Sequence, residues 1–357
     1  MIQVIKSWFH RYFSDPQAVL LAILLVASFT ILMTMNRILF PLLASVVIAY
    51  LLDGLINNLQ RWHIPNFIAV ALVYLAFITL LTFIVIILLP LLSYQLTQLI
   101  QELPSMVVKG HTLLKKLPEQ YPLISQEHIN GVINSIGSWV REVVKTMWNS
   151  IPGLIPTVLT LIVYSILVPL LVFFFLKDKM VILNWLISFL PKNHSVAEKV
   201  WIEMDAQIGN YIRGKFYEIF LVATFTYFPF AYFGLNYASL LAVLVGLSVI
   251  IPYIGAVVVT FPVVLVAYFQ WGLETDFFWV IGAYLVIQVF DGNILVPLLF
   301  SEAVNLHPVA IIASVLIFGG IWGFWGVFFA IPLATLVKVL ITVWPRTPTV
   351  EEAKGTT

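Results

Sequence analysis

The stretch "QVFDGNILVPLLFSEAVNLHP", Gln288 to Pro308, sets Asp291, Gln288 and Asn293 between two of the most apolar runs in the chain. A carboxylate in such surroundings can exchange a proton or a small cation. With two amides beside it, it can also hydrogen-bond a polar solute that has shed its water. An acid at the centre of a membrane span costs on the order of 2.5–3.5 kcal/mol on insertion scales and is normally retained for function. Two readings of the stretch stay open. In one, Asp291, Gly292 and Asn293 sit at a membrane surface and cap a helix. In the other, "QVFDGNILVP" is one broken span whose Gln288, Asp291 and Asn293 line a water-filled path, with Pro297 interrupting its hydrogen bonds.

The elements that must position these residues are membrane helices. The 357 residues are 61% hydrophobic and only 10% charged, against roughly 25% charged in soluble domains, and the mean hydropathy is +1.03. A formal net charge of +1 supplies no basic field for nucleic acid. There are no cysteines, which removes disulfides, thiolate metal sites and cysteine nucleophiles. The first apolar run is too long for a cleaved signal and no small-residue cleavage site follows it.

Apolar windows predict an all-α polytopic membrane protein with about 8 hydrophobic segments, near 18–35, 38–56, 66–92, 153–176, 216–235, 238–270, 277–299 and 308–342. Two of these are too long to cross once, since more than 30 helical residues reach about 45–50 Å against a hydrocarbon core of about 30 Å. Each carries a breaker near its middle. "IIPYIGAVVVTFP" supplies Pro252, Gly255 and Pro262, and "GGIWGFWGVFFAIP" supplies Gly319, Gly320, Gly323, Gly326 and Pro332. Both runs are expected to be broken helices or re-entrant hairpins, near 250–262 and 319–332, with gating as the sharper role and a tight turn as the simpler one. The four glycines fit either a close-packing surface or a loop tip, and the loop is favoured.

The expected organisation is spans one to three in 1–92, a periplasmic helical segment over 93–152 with an amphipathic helix in 129–148, span four over 153–176, a cytoplasmic helical segment over 177–215, a C-terminal bundle over 216–344, and a tail over 345–357. Twelve of the 18 Lys and Arg residues then face the cytoplasm, one (Arg37) lies in a short outer loop, and five lie in the outer segment, as the positive-inside rule requires. Arg213 and Lys215 read as cytoplasmic headgroup anchors, with Glu218 one turn on as their partner.

No GxxxxGK[ST], GxGxxG, HExxH or GxSxG motif occurs, so an ATP-driven pump, a Rossmann enzyme, a zincin and a serine hydrolase all lack their signatures. The six histidines show no ligand spacing. The expectation is no enzyme, no cofactor and no metal.

Several stretches together resemble the autoinducer-2 exporter family of PerM-like bacterial permeases: "FFFLKD" (173–178), "YIRG" (211–214), "FGLNYA" (233–238), "IIPYIG" (250–255), "QVFDGNILVP" (288–297), "NLHP" (305–308) and "GGIWGFWGVFFAIP" (319–332), with "FPLLASVVIAYLLD" (40–53) as a looser match. The resemblance implies a multi-pass protein of the bacterial inner membrane, its N-terminus cytoplasmic, and a homo-oligomer, pentameric in relatives. It implies an exporter of a small solute such as the autoinducer-2 signal, or a cation/proton antiporter, driven by a gradient rather than by ATP. A scaffold or assembly protein that transports nothing is the alternative. The partners expected are the lipid bilayer and a small-molecule or ion substrate, with no nucleic acid.

Overall fold

A computed structural model describes residues 16–34, 36–120, 154–189, 195–300 and 306–344, with isolated helical positions between 131 and 146. Among the described residues every regular element is helical, which establishes the all-α polytopic class. Lys6, Arg11, Lys192, Ser301, Glu302, the tail and most of the helix expected over 129–148 lie outside them.

Helices α1 (Pro16–Thr34) and α2 (Asn36–Arg61) follow one another with a single residue between them. A turn ending at Pro65 leads into α3 (Asn66–Phe83), a π-helical turn (Ile84–Leu88) and α4 (Leu89–Gln120). The chain is thus helical without a break from Asn66 to Gln120; its candidate membrane span, Asn66–Gly110, is 45 residues, and only 6% of its most apolar window is buried. Its first turns join Ala69, Val70 and Val73 to Ala49 and Leu52 of α2 and to Val172 of α5 (Leu154–Lys177). Beyond these turns most of the apolar window faces outward, as a lipid-facing helix must, until Leu92 and Leu99 pack against the main core. Short α6 (Lys179–Ile187) follows.

Helix α7 (Ser195–Tyr232) is 38 residues long, about 57 Å at 1.5 Å per residue. The boundary expected at 215/216 falls inside it. Gly214 alone does not stop the helix there, because its bare face packs against other backbone: a Cβ would lie 3.2 Å from the Leu299 carbonyl oxygen and 2.9 Å from the Phe300 ring.

Both overlong runs are broken. The first divides into α8 (Ala238–Ser248) and α9 (Ile254–Trp271), separated by the turn Val249–Tyr253. Gly255 makes this turn possible, since a Cβ there would stand 1.7 Å from the Ser248 carbonyl oxygen. Pro262 is no breaker; it lies within α9. The polypeptide has already reversed ten residues earlier, and Pro262 removes a single N–H from a helix packed on both sides. The last run divides into α12 (Pro308–Trp322), α13 (Phe324–Phe328) and α14 (Ala330–Val343). Gly323 makes the break at φ 59°, ψ −130°, a conformation open to glycine alone. Gly319 and Gly326 serve close packing instead: a Cβ on Gly326 would sit 1.8 Å from the Phe318 carbonyl oxygen, and one on Gly319 would sit 2.8 Å from Val327, while one on Gly320 would meet nothing. Pro332 starts α14 rather than ending a helix, because first-turn N–H groups have no acceptor to lose.

The candidate span at the C-terminal side, α10 (Thr275–Phe290), continues through a second π-turn (Asp291–Leu295) into α11 (Val296–Phe300). It bends there without ending. In both π-turns the i→i−5 bond, Leu89 N–H to the Ile84 carbonyl and Val296 N–H to the Asp291 carbonyl, immediately precedes a proline, Pro90 or Pro297. A proline ring clashes with the carbonyl four residues back, and widening the preceding turn relieves the clash. The largest core cluster joins α7, α8, α9 and α10, with Val222, Phe230, Leu241, Val245, Val263 and Tyr284 at most barely exposed.

Candidate transport site

On α7 the residues Tyr211, Lys215, Glu218, Val222 and Thr226 fall at spacings of four, three, four and four, which places them on one face, and all five are buried. Lys215 Nζ donates to Glu218 Oε2 at 2.6 Å and to the Val249 carbonyl at 2.9 Å. It also stands 5.1 Å from the centroid of the Phe300 ring. One ammonium therefore binds α7 to the α8–α9 turn and to α11. Tyr211 extends the tie by donating to the Phe328 carbonyl at 2.8 Å.

Opposite lies the π-turn of the α10–α11 span. Tyr284, Gln288 and Asp291, at spacings of four and three, face α7; Phe230 meets the Tyr284 ring at 6.3 Å and Phe225 meets Phe290 at 6.1 Å. Tyr284 is fully buried, and its hydroxyl pairs with Thr260 Oγ1 at 2.8 Å. Asp291 is 9% exposed and interacts electrostatically with both Lys215 and Glu218. The result is a seam of polar groups in an apolar bundle: Lys215, Glu218 and Thr226 on one wall, Asp291, Gln288 and Tyr284 on the other. It runs about 16 Å along α7 at 1.5 Å per residue.

Two features make the seam chemically unusual. Its titratable groups are unequal in number: one amine stands with two carboxyl groups, of which only Glu218 is paired with it. Three of its atoms, Thr226 Oγ1, Gln288 Nε2 and Asp291 Oδ1, are buried with no hydrogen-bond partner among the described residues. Buried polar groups are normally paired, and buried charges are tolerated only when compensated. A seam with spare acceptors, a spare donor and an excess carboxyl group can accept a cation, a proton or a polar solute.

The sequence-predicted residues divide accordingly. Gln288 and Asp291 are brought together. Asn293 is not: it is exposed, and its Nδ2 bonds back to the Val289 carbonyl of its own helix at 2.8 Å. Helical geometry explains this, since residues two positions apart do not share a face. Pro297 is exposed as well and acts on the backbone. Asp291 is 9% exposed and stands where α10 passes into the π-turn of an unbroken helical span, rather than at the start of a helix. Lys215 and Glu218 are not headgroup anchors, being 4% and 2% exposed and bonded to each other. Arg213 alone of that group reaches a more polar zone. There its guanidinium lies against Gly54 and Gly209 and donates to Asn210 Oδ1 at 2.9 Å. Nearby, Tyr50 donates to Asp205, and Lys179 pairs with Asp53 at 3.0 Å. Sequence reasoning missed Tyr50, Asp53, Asp205, Thr226 and Tyr284. The available signal was the helical spacing of Lys215, Glu218 and Thr226 within "GKFYEIFLVATFT". No cluster of three or more His, Cys, Asp or Glu side chains suited to a metal ion occurs among the described residues.

A family model described as AI-2E family transporter matches residues 18–346. PerM of Escherichia coli strain K12, named as a permease, is 46% identical over 349 residues, covering 97% of this chain and 98% of its own length. YueF of Bacillus subtilis strain 168, named as a transport protein, is 24% identical over 309 residues, covering 85% and 83% respectively.

Proposed function

The chain belongs to the AI-2E transporter family, and from that premise we propose that it is a gradient-driven secondary carrier which moves a small polar solute or a cation along the α7–α10 seam. Family and helices together make it a multi-pass membrane protein of a family named for transport. The observation that carries the finer reading is the seam itself, with its second, unpaired carboxyl group and its three unpaired buried atoms. A scaffold has no use for groups that cost this much to bury. Asp291 is the group that exchanges a proton or small cation, or binds the solute. Lys215 holds the local field and ties the α8–α9 turn to it. No nucleotide takes part, in keeping with the missing phosphate-loop motif. The reading includes the bacterial inner membrane as location, a cytoplasmic N-terminus and a homo-oligomeric assembly, for which the outward-facing α3–α4 run leaves ample surface.

The test is flux in proteoliposomes under imposed proton and sodium gradients, comparing the wild-type chain with Asp291→Asn. The substitution keeps size and shape and removes the charge. Gradient-driven flux should fall at least tenfold while the protein still purifies as a folded species. Undiminished flux in purified Asp291→Asn would reject the seam as the path.

A further inference from the structure

Tyr253, in the turn between α8 and α9, has φ 62° and ψ −47°, outside the left-handed helical region that side chains occasionally visit. The Ile254 N–H donates across it to the Pro252 carbonyl at 2.7 Å. This is a γ-turn of positive φ, rare and strained for any residue with a Cβ. No polar or ring contact of the side chain compensates. Tyr253 is 58% exposed, and among the described residues its ring meets no other aromatic ring and its hydroxyl makes no hydrogen bond. Strain of this kind persists only where the surroundings impose it, and here the backbone on either side does so. Before the tip, Lys215 Nζ holds the Val249 carbonyl at 2.9 Å. Beyond it, Gly255 lays its bare face against the Ser248 carbonyl and donates its N–H to the Ile251 carbonyl at 2.9 Å.

The same tip meets the Lys215 end of the seam. Lys215, Glu218 and Thr226 are all buried, so no solute reaches them until one of the walls moves. The walls are not held alike. Helix α8 lies on α7 backbone to backbone, since a Cβ on Gly246 would stand 2.7 Å from the Ile219 carbonyl oxygen, and α11 does the same at Gly214, 3.2 Å from the Leu299 carbonyl oxygen. Contacts this close leave no slack. The bodies of α8 and α9 are fixed again through Leu241, Val245, Val263 and Val266 in the main core. The five residues Val249–Tyr253 between those bodies are held differently. Among the described residues their one hydrogen bond to α7 comes from the Lys215 ammonium, which Glu218 also engages at 2.6 Å and which Asp291 attracts from the facing wall. A strained segment that hangs on one shared bond is the wall able to move.

We propose that the Val249–Tyr253 tip is a strained catch on the seam: Lys215 holds it closed through the Val249 carbonyl, and when Lys215 turns to another partner the tip relaxes about Tyr253 and lifts from α7. The proposal rests on the seam being the path, because a change of charge or occupancy at Asp291 is what redirects the ammonium. The strain works in favour of opening, since Tyr253 returns to ordinary backbone only in the lifted form. The bodies of α8 and α9 stay in place, so the motion is confined to the tip.

The chain has no cysteine, so Val249→Cys supplies a single thiol at a position that is 8% exposed while the tip is closed. The full chain carrying it would be reconstituted in proteoliposomes, and its modification by methyl methanethiosulfonate timed by mass, with no solute and no gradient. Tyr253→Gly, which adopts a positive φ freely, should slow modification at least about fivefold, whereas Tyr253→Ala, which removes the same ring and keeps the Cβ, should stay within about twofold. Lys215→Met with Glu218→Gln should speed it at least about tenfold, through loss of the charge-assisted bond to the Val249 carbonyl. Equal rates for Tyr253→Gly and Tyr253→Ala, or a faster rate for the glycine, would overturn the catch, and that comparison decides the matter even where the doubly altered chain fails to fold. An unchanged rate in a folded Lys215→Met, Glu218→Gln chain would overturn it equally. Labelling requires no transport, so the two readings fail separately: undiminished flux in Asp291→Asn removes the path and leaves the labelling pattern, while a lost pattern removes the catch and leaves the path.

Discussion

Replacing Lys215 by Met tests whether the ion pair at the heart of the seam is as buried as its geometry indicates. The substitution keeps the aliphatic stem and removes the ammonium. Three interactions go at once: the 2.6 Å contact with Glu218, the 2.9 Å contact with the Val249 carbonyl, and the approach to Phe300. Breaking one side of a buried pair costs about 3–5 kcal/mol, because the surviving charge is stranded. The orphaned Val249 carbonyl adds about 1–3 kcal/mol, and part of the total is recovered if Glu218 takes up a proton. A net loss of about 3–5 kcal/mol is therefore expected in reversible detergent unfolding. Removing both charges in Lys215→Met with Glu218→Gln should restore most of it, giving a coupling energy of at least about 2 kcal/mol in a double-mutant cycle. Transport should behave differently: the double variant should be stable and still deficient in flux, since the seam has lost its field. A loss below about 1 kcal/mol for Lys215→Met, the range of exposed pairs, would refute the reasoning.

Three further outcomes follow from the same structure. Asn293→Ala should leave flux within about twofold of wild type, because its amide faces outward and bonds its own helix, whereas Gln288→Ala should reduce flux markedly; the same proteoliposome assay reads both. Gly255→Ala should abolish folded yield or cost more than about 3 kcal/mol, since nothing short of reopening the α8–α9 turn accommodates a methyl group 1.7 Å from a carbonyl oxygen; size-exclusion chromatography of the solubilised variant checks it. In a chain without cysteine, an impermeant maleimide applied to intact cells should label a cysteine introduced at Lys116 and spare one at Lys192, and the reverse pattern would invert the topology.

Much of this was legible in the sequence, for reasons that can be named. Composition forces helices, because a bilayer leaves the backbone no other way to pair its polar groups. Span length against bilayer thickness exposed both broken runs, and Gly255 and Gly323 marked the breaks since a close approach or a positive φ there admits no side chain. Asp291 and Gln288 stood out as polar residues in an apolar span. What escaped depends on three-dimensional phase. Pro297 reads as a helix end, but the chain absorbs it as a π-turn and stays helical, and in a continuous helix residues two positions apart, such as Asp291 and Asn293, do not share a face. Lys215 and Glu218 resemble anchors because their distance from the polar segment is short along the chain. Only the partners from the α8–α9 turn, the second π-turn and α11, 34 or more residues distant in sequence, reveal them as buried. Pro262 misled in the opposite direction, since a proline in a well-packed helix interior gives the same one-letter signal as a breaker.

The two π-turns carry one more consequence, which concerns the phase of the helices beyond them. Each turn holds one residue more than an α-helix of the same rise, so everything past it is rotated by about 100° from the face it would otherwise present. Beyond Leu88, that rotation aims Leu92, Gln95 and Leu99 at α8, where Gln95 Oε1 accepts from the Leu240 N–H at 2.9 Å. Deleting a single residue between Ile84 and Leu88 would leave the composition and the span length almost unchanged, yet it would turn that whole row toward lipid. In this molecule the count of residues within a span, as much as their identity, is therefore a coded quantity, and single-residue gaps at these two places mark a change of helix face rather than a change of loop.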